Sequence, residues 1–370
     1  MIYLDSAATS LIKPACVERA VLHAMRSMAS PGRGGHEPAM KAAETVYACR
    51  EEAAALFRAP DPSRVVFTMN ATHGLNMAIR SLIKPGSRVV ISGFEHNAVR
   101  RPLHHIGAQT IVAGRRLFDP EDTLRAFSEA VTWETKAVVV THVSNVFGYI
   151  LPIREIAQMC REREVPMILD AAQSAGILPV KLRTLGASFV CMPGHKGLYG
   201  PQGTGMLLCA ARTRTLLEGG SGSESRLPDM PDTLPERLEA GTQNACGICA
   251  LSEGLRFVSA MPEGRVICHE RALRELLAQE LSGLPDVRVF TGGAQAGTCS
   301  FTVRGRDCSE LAAQLARRHI AVRAGLHCAP LAHESAGTLE TGTVRVSFSV
   351  FNTRAEVLRF AQALREILTQ

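Results

Sequence analysis

The sequence predicts an α/β protein whose main domain is built on a mostly parallel sheet, followed by a smaller α/β domain. Three observations carry that expectation. Apolar runs alternate with helix-like segments from about residue 64 to 210, those runs are apolar throughout rather than at every second position, and the pattern changes after about residue 262. A strand that is apolar on both faces is covered on both faces, as in parallel sheets flanked by crossover helices.

The elements follow in order. Arg64–Met69 (RVVFTM) is a strand, and a helix begins near Thr72. Further strands are expected at Ser87–Ser92, Thr110–Ala113, Lys136–His142 and Pro166–Asp170, then at Phe189–Pro193 and Met206–Cys209. Residues 218–235 are rich in Gly, Ser and Pro, and loops of that length are usually functional or mobile. Ala240–Met261 reads as a bridging helix. Beyond it lie helices at Arg271–Leu281, Cys308–Arg318 and Arg354–Ile367, with strands at Val287–Phe290, Cys299–Val303 and Thr343–Ser349. The expected partition is an N-terminal segment, 1–20, packing on the small domain or lining the cleft, a large domain, 21–255, and a small C-terminal domain, 256–370.

Bulk properties narrow the function classes. A chain of 370 residues exceeds one comfortable core, so two domains are the default. An apolar content of 46% is unlike a disordered protein. The formal charge of +6 is scattered, which argues against nucleic acid and membrane surfaces as partners. The N-terminus, MIYLDSAATS, carries an acid where a signal peptide needs basic residues, and no stretch approaches the roughly 20 apolar residues of a membrane span. A soluble, cytoplasmic protein is expected. The eleven cysteines are an odd, scattered set, which favours free thiols. Cys246 and Cys249 form the one C-x-x-C pair; without two further ligands at matching spacing it reads as small residues packing at a helix start, and no metal is expected.

The chemistry concentrates where strands end. Lys196 follows the apolar run Phe189–Pro193 in a glycine-opened turn (GHKGLYG), a setting suited to an amine that forms a covalent imine. Asp170 ends the preceding strand. A lysine and an acid at successive strand ends are the two parts that pyridoxal phosphate chemistry requires, the acid keeping the pyridine nitrogen protonated. Asn70–Thr72, His96 and Asn145 also fall at carboxyl ends of strands, where ligands bind in such sheets.

These residues carry a resemblance that runs nearly end to end. It includes Tyr3–Thr9 (YLDSAAT), Asn70–Asn76 (NATHGLN), Glu95–Val99 (EHNAV), His142–Gly148 (HVSNVFG), Leu169–Gly176 (LDAAQSAG), Gly194–Lys196 (GHK), Arg237–Asn244 (RLEAGTQN), Arg323–Ala329 (RAGLHCA) and Arg345–Thr353 (RVSFSVFNT). The chain resembles the fold-type I pyridoxal phosphate enzymes of the class V aminotransferase group, and among them the cysteine desulfurases and selenocysteine lyases of the SufS-like branch. The resemblance implies a seven-stranded, mostly parallel sheet in the large domain, a pyridoxal phosphate cofactor and a homodimer.

It also implies roles. Lys196 carries the cofactor, Asp170 pairs with the ring nitrogen, and His96 stacks on the ring and moves protons. Asn145 and Gln173 are neutral hydrogen-bonders for the ring hydroxyl. Thr72 lies at a helix start, where free N–H groups favour a phosphate; Ala71 and His73 add backbone donors, His195 a side-chain donor, and Thr242 reaches the phosphate of the partner subunit. Cys328, beside His327, takes sulfur from the substrate as a persulfide, since a neighbouring imidazole or arginine favours the thiolate. Arg345 clamps the substrate carboxylate, with Asn145, Arg323 and His36 (in GRGGH) as further substrate-side groups. The substrate is L-cysteine or L-selenocysteine, and the sulfur or selenium passes to an acceptor protein. One departure stands out: Pro193 replaces the serine usual three residues before the lysine, removing phosphate donors, and Gly197 enters after it. A selenocysteine lyase, or another class V β-lyase or aminotransferase, is the alternative.

Overall fold

The computed structural model describes residues 1–32 and 34–369. In chain order its strands are β1 (Ile2–Tyr3), β2 (Val65–Thr68), β3 (Arg88–Ser92), β4 (Gln109–Ala113), β5 (Thr135–Thr141), β6 (Met167–Asp170), β7 (Phe189–Pro193), β8 (Gly205–Cys209), β9 (Val287–Phe290), β10 (Cys299–Val303), β11 (Ile320–Ala321), β12 (Arg323–Gly325) and β13 (Thr343–Val346). Seven form the main sheet, in the order β2-β8-β7-β6-β5-β3-β4. Strands β4, β3, β5, β6 and β7 pair in parallel, while β8 runs antiparallel to both β7 and β2. The sheet is therefore mixed and mostly parallel.

Continuous apolar runs do cover both faces. Every residue of β2, β6, β7 and β8 is buried. Successive side chains enter opposite layers, as the two-residue period of a strand requires: Val138 and Val140 join one core, Ala137 and Val139 the other. Each fully buried aliphatic side chain of this kind contributes about 1.5–3 kcal/mol.

A second sheet, in the order β12-β13-β10-β9, is antiparallel throughout. The helix Cys308–Arg317 crosses from β10 to β12, which point the same way, and β13 lies between them. Helices Arg265–Ser282 and Arg354–Leu368 close its core, with Leu277 and Phe360 against Phe301 and Val346. The N-terminus joins this unit: β1 pairs in parallel with β11, and Leu4 is buried in the same core.

Two helices were not legible as periodic patterns, Ala15–Ser27 and Glu37–Phe57. The second buries Ala39, Ala42, Cys49 and Ala53, and small residues give a weak apolar period. It also buries Arg50, paired with Glu239 and lying 4.5 Å from the Phe67 ring centroid. Both helices pack on Ala245–Ser259. That third helix starts five residues later than the sequence suggested, because the Asn244 side chain accepts the Gly247 N–H at 3.0 Å and caps it there. Thr242 therefore lies in a loop. No regular element occurs among the described residues between Cys209 and Ala245, so the irregular stretch exceeds residues 218–235. Cys249 packs with Cys16 in the small cluster at this helix.

The lysine turn sits against the Asp170 turn through a glycine pair. Gly176 has φ +82°, and a Cβ there would lie 2.2 Å from the Gly197 carbonyl oxygen. Gly176→Ala should therefore lose about 2 kcal/mol or more of stability, read by denaturant unfolding. A loss under half of that would show that the two turns separate freely.

Candidate active site

Strands β2, β3, β5, β6 and β7 all point their carboxyl ends at one pocket of about 100 Å³. Ala71, Thr72, His96, Asn145, Asp170, Gln173, His195 and Lys196 line it. These five strands run in one direction, so each of these residues leaves its strand at the same edge of the sheet.

Asp170, the last residue of β6, is 3% exposed. One carboxylate oxygen accepts the Ala172 N–H at 2.9 Å, and the other has no protein donor among the described residues. Burial raises its pKa, with the Ala172 hydrogen bond and the charge of Lys196 opposing. Lys196 is pushed the other way: burial, then the nearby Arg345 charge, lowers its pKa to about 8. The carbonyl preceding Lys196, that of His195, accepts from Ser10 N (3.0 Å), Ser10 Oγ (3.1 Å), Thr9 Oγ1 (3.2 Å) and Lys13 Nζ (3.4 Å). The His195 ring meets Thr9 Oγ1 at 3.0 Å.

His96 caps the helix Asn97–Ile106, its Nδ1 accepting the Ala98 N–H at 3.0 Å. Burial, reinforced by Lys196 and Arg345, lowers its pKa to about 4, so the ring is neutral and Nε2 carries the proton. Below it the buried Glu95 accepts from the backbone of Ser92 and Thr141, tying the ends of β3 and β5 together.

At the start of the helix Ala71–Leu82, Asn70 Oδ1 accepts the His73 N–H at 2.9 Å. The expected backbone donor of His73 is thus spent on the cap, and its Nδ1 accepts from Met69 N. The N–H groups of Ala71 and Thr72 remain for an anion. The amide groups expected to face a ring hydroxyl are also engaged: Gln173 Nε2 donates to the Ala7 carbonyl at 2.9 Å, and Asn145 Nδ2 to the His327 carbonyl at 2.8 Å.

Arg345 is 2% exposed. It pairs with Asp5 at 2.7 Å and donates to the Asn145 carbonyl at 3.0 Å, leaving Nε buried without a partner. Arg323 stands directly opposite it on β12, and two like charges so placed repel unless an anion joins them. Cys328 is exposed on the loop that follows β12. Its carbonyl accepts the Asn97 N–H at 2.7 Å, one residue from His96, which ties the thiol loop to the pocket. His327 and Cys328 adopt φ of +50° and +55°, a conformation costing a side-chain-bearing residue about 1–2 kcal/mol. His327 does not face the thiol as the sequence suggested. Its ring is buried and stacked on His333, and burial drives its pKa down to about 2, so it supplies no cation for a thiolate.

Besides Arg345, Arg323 and Cys328, three predicted residues do not line this pocket. His73 and Thr242 line a neighbouring cleft, and Thr242 is exposed and also borders a groove of about 790 Å³ beside Tyr47. His36 is exposed at the start of the helix Glu37–Phe57. Sequence reasoning missed Asp5, Lys13, Glu95 and His333. Asp5 and Glu95 stood inside the quoted motifs; Lys13 and His333 had no local signal.

The aminotransferase class-V family profile matches residues 2–360. The chain belongs to the class V aminotransferase family. Within it, the cysteine desulfurases are its kin. A probable cysteine desulfurase of Vibrio cholerae is 32% identical over 383 residues, spanning 99% of this chain and 93% of that protein. The apo cysteine desulfurase of Thermococcus onnurineus NA1 superposes with a TM-score of 0.90 at 29% identity, over 100% of this chain and 94% of that one. The cysteine desulfurase CsdA of Escherichia coli, in its S-sulfonic acid form, gives 0.87 at 26% identity over 99% and 94%. No helix among the described residues is long and apolar enough to cross a membrane.

The lowered Lys196 pKa has a measurable sign. Its ammonium is disfavoured by burial, so the neutral, nucleophilic amine accumulates as pH rises through about 8 rather than 10.5. Labelling of Lys196 in the apoprotein by a small aromatic aldehyde, followed by borohydride and peptide mapping, should show that midpoint. A midpoint above 10 would contradict the assigned environment.

Proposed function

We propose that the protein is a pyridoxal phosphate-dependent cysteine desulfurase that converts L-cysteine to L-alanine and takes the sulfur as a persulfide on Cys328. The observation that carries this reading is the convergence of Lys196, Asp170 and His96 on one pocket to which the Cys328 loop is hydrogen-bonded.

The donor set fits the cofactor. The partnerless oxygen of Asp170 suits a pyridinium nitrogen, the neutral His96 ring suits an aromatic face, and the Ala71 and Thr72 N–H groups suit a phosphate. His195 and the partner subunit supply further phosphate contacts; the exposure of Thr242 supports a role across a homodimer interface. Pro193, the last residue of β7, contributes no donor. When bound, pyridoxal phosphate supplies an electron sink adjacent to the substrate Cα.

The chain's residues do the rest. Arg345, with Arg323 opposite, receives the substrate carboxylate. Lys196 Nζ, as the neutral amine, removes the Cα proton. Cys328 Sγ attacks the substrate sulfur: the new S–S bond forms, the Cβ–S bond breaks, the electron pair stays with Cβ, which takes up a proton, and Lys196 returns the proton to Cα. Thiol and cysteine thereby become persulfide and alanine with no external oxidant. The persulfide sulfur then passes to an acceptor, in the cytoplasm on this reading.

Cys328→Ala should still bind cysteine, seen as a change in cofactor absorbance, yet release almost no alanine. Mass spectrometry of the wild-type protein after turnover should find one added sulfur on the Cys328 peptide. An unmodified peptide together with normal activity of the variant would leave a β-lyase or aminotransferase in its place.

Shared sites predict complementation. Mixing inactive Lys196→Ala and Thr242→Ala proteins under subunit exchange should restore one working site per mixed dimer. Demonstrated exchange without recovery would mean that each subunit builds its own site.

A further inference from the structure

Beneath Cys328 lies a buried column of polar side chains that the proposed chemistry does not use. His327 Nε2 lies 3.3 Å from the Arg323 carbonyl, His327 Nδ1 lies 3.4 Å from His333 Nε2, and His333 Nδ1 lies 2.8 Å from Thr338 Oγ1. The two imidazoles stack with an interplanar angle of 10°. His333 is 0% and Thr338 4% exposed, so no solvent competes for these groups.

The proton positions follow from one end. A carbonyl only accepts, so His327 Nε2 carries a hydrogen and Nδ1 is left with a lone pair. That lone pair demands a hydrogen on His333 Nε2, which makes His333 Nδ1 an acceptor for the Thr338 hydroxyl. In the opposite tautomer two lone pairs would face each other in a dry interior, an arrangement buried groups avoid.

The column stands where the loop needs support. Gly325, His327 and Cys328 all have positive φ, and two of the three carry side chains. Asn145 and Asn97 hold the His327 and Cys328 carbonyls, but they fix only the backbone oxygens. The imidazole of His327 is buried directly before the exposed Cys328.

We propose that His333 is a positioning residue: through its Nε2–H bond to His327 it holds the left-handed turn that presents the Cys328 thiol to the pocket. His333 touches neither cofactor nor substrate; it acts through His327. The proposal rests on the reading of Cys328 as the sulfur acceptor, and its consequences for the loop can be measured apart from that reading.

The test compares His333→Phe, which keeps a stacked ring and removes the donor, with His333→Gln, which returns an N–H near the Nε2 position. In the holoenzyme, His333→Phe should lower kcat for alanine release about tenfold or more, the effect of misplacing a reacting atom by a fraction of an ångström, with KM for cysteine unchanged. Amide hydrogen exchange should accelerate in residues 325–329 and not around Lys196. His333→Gln should recover most of the rate and the protection. Wild-type kcat and exchange in His333→Phe would overturn the proposal. Faster loop exchange in that variant, with no sulfur ever found on wild-type Cys328, would uphold the positioning role and reject the persulfide reading. If His333→Phe does not fold, Thr338→Val serves: it keeps both rings but takes the hydroxyl donor from His333 Nδ1, loosening the ring that donates to His327, so it should also slow alanine release, and a wild-type rate would overturn the proposal.

Discussion

The site depends on a carboxylate that the sheet buries without satisfying. Asp170 ends β6 in the interior of the main sheet, and its backbone supplies only one hydrogen bond to its side chain. A buried charge of that kind is costly unless a cation meets it. Lys196, at the end of the neighbouring β7, is the protein's own partial answer, and burial weakens it by favouring the neutral amine. The pair therefore does not balance by itself, and on the proposed reading a cationic ring held at Asp170 would complete it. Stability and chemistry share one origin.

Around that pair the first thirteen residues act as a strap across both units. Asp5 holds Arg345, the Ala7 carbonyl holds Gln173, and Thr9, Ser10 and Lys13 crowd the His195 carbonyl. The segments carrying Arg345, Gln173 and Lys196 are thereby fixed to one short stretch of chain. Ser300 and Gln295 reinforce the junction from the other side, donating to the Val146 and Phe147 carbonyls. Geometry near 0.5 Å is what catalysis needs, and several short hydrogen bonds to one strap supply it.

The thiol loop obeys a different constraint. Its left-handed residues are locally unfavourable and persist because neighbouring groups over-determine them. Asn97 and Asn145 come from segments that also frame the pocket, so the loop is anchored to it. Cys328 is exposed on that turn beside buried His327.

Much of this was written in local pattern. The strands at Val287–Phe290 and Cys299–Val303 were legible because chain stiffness and period-two packing are encoded residue by residue. Asp170 and Lys196 were legible because parallel strands deliver their ends to one edge. The helix Glu37–Phe57 escaped because alanine gives little contrast between its faces, and the Ala245 start escaped because a side-chain cap outweighed the pattern. What the sequence alone determined, then, is which residues leave the sheet at its reactive edge. Only the tertiary structure decided how they are paired: Asp5 meets Arg345 across 340 positions, Asn70 consumes the His73 donor, and His327 turns away from Cys328 toward His333. Partners distant in the chain and the direction of a ring are set by desolvation and packing in three dimensions, which no local periodicity records.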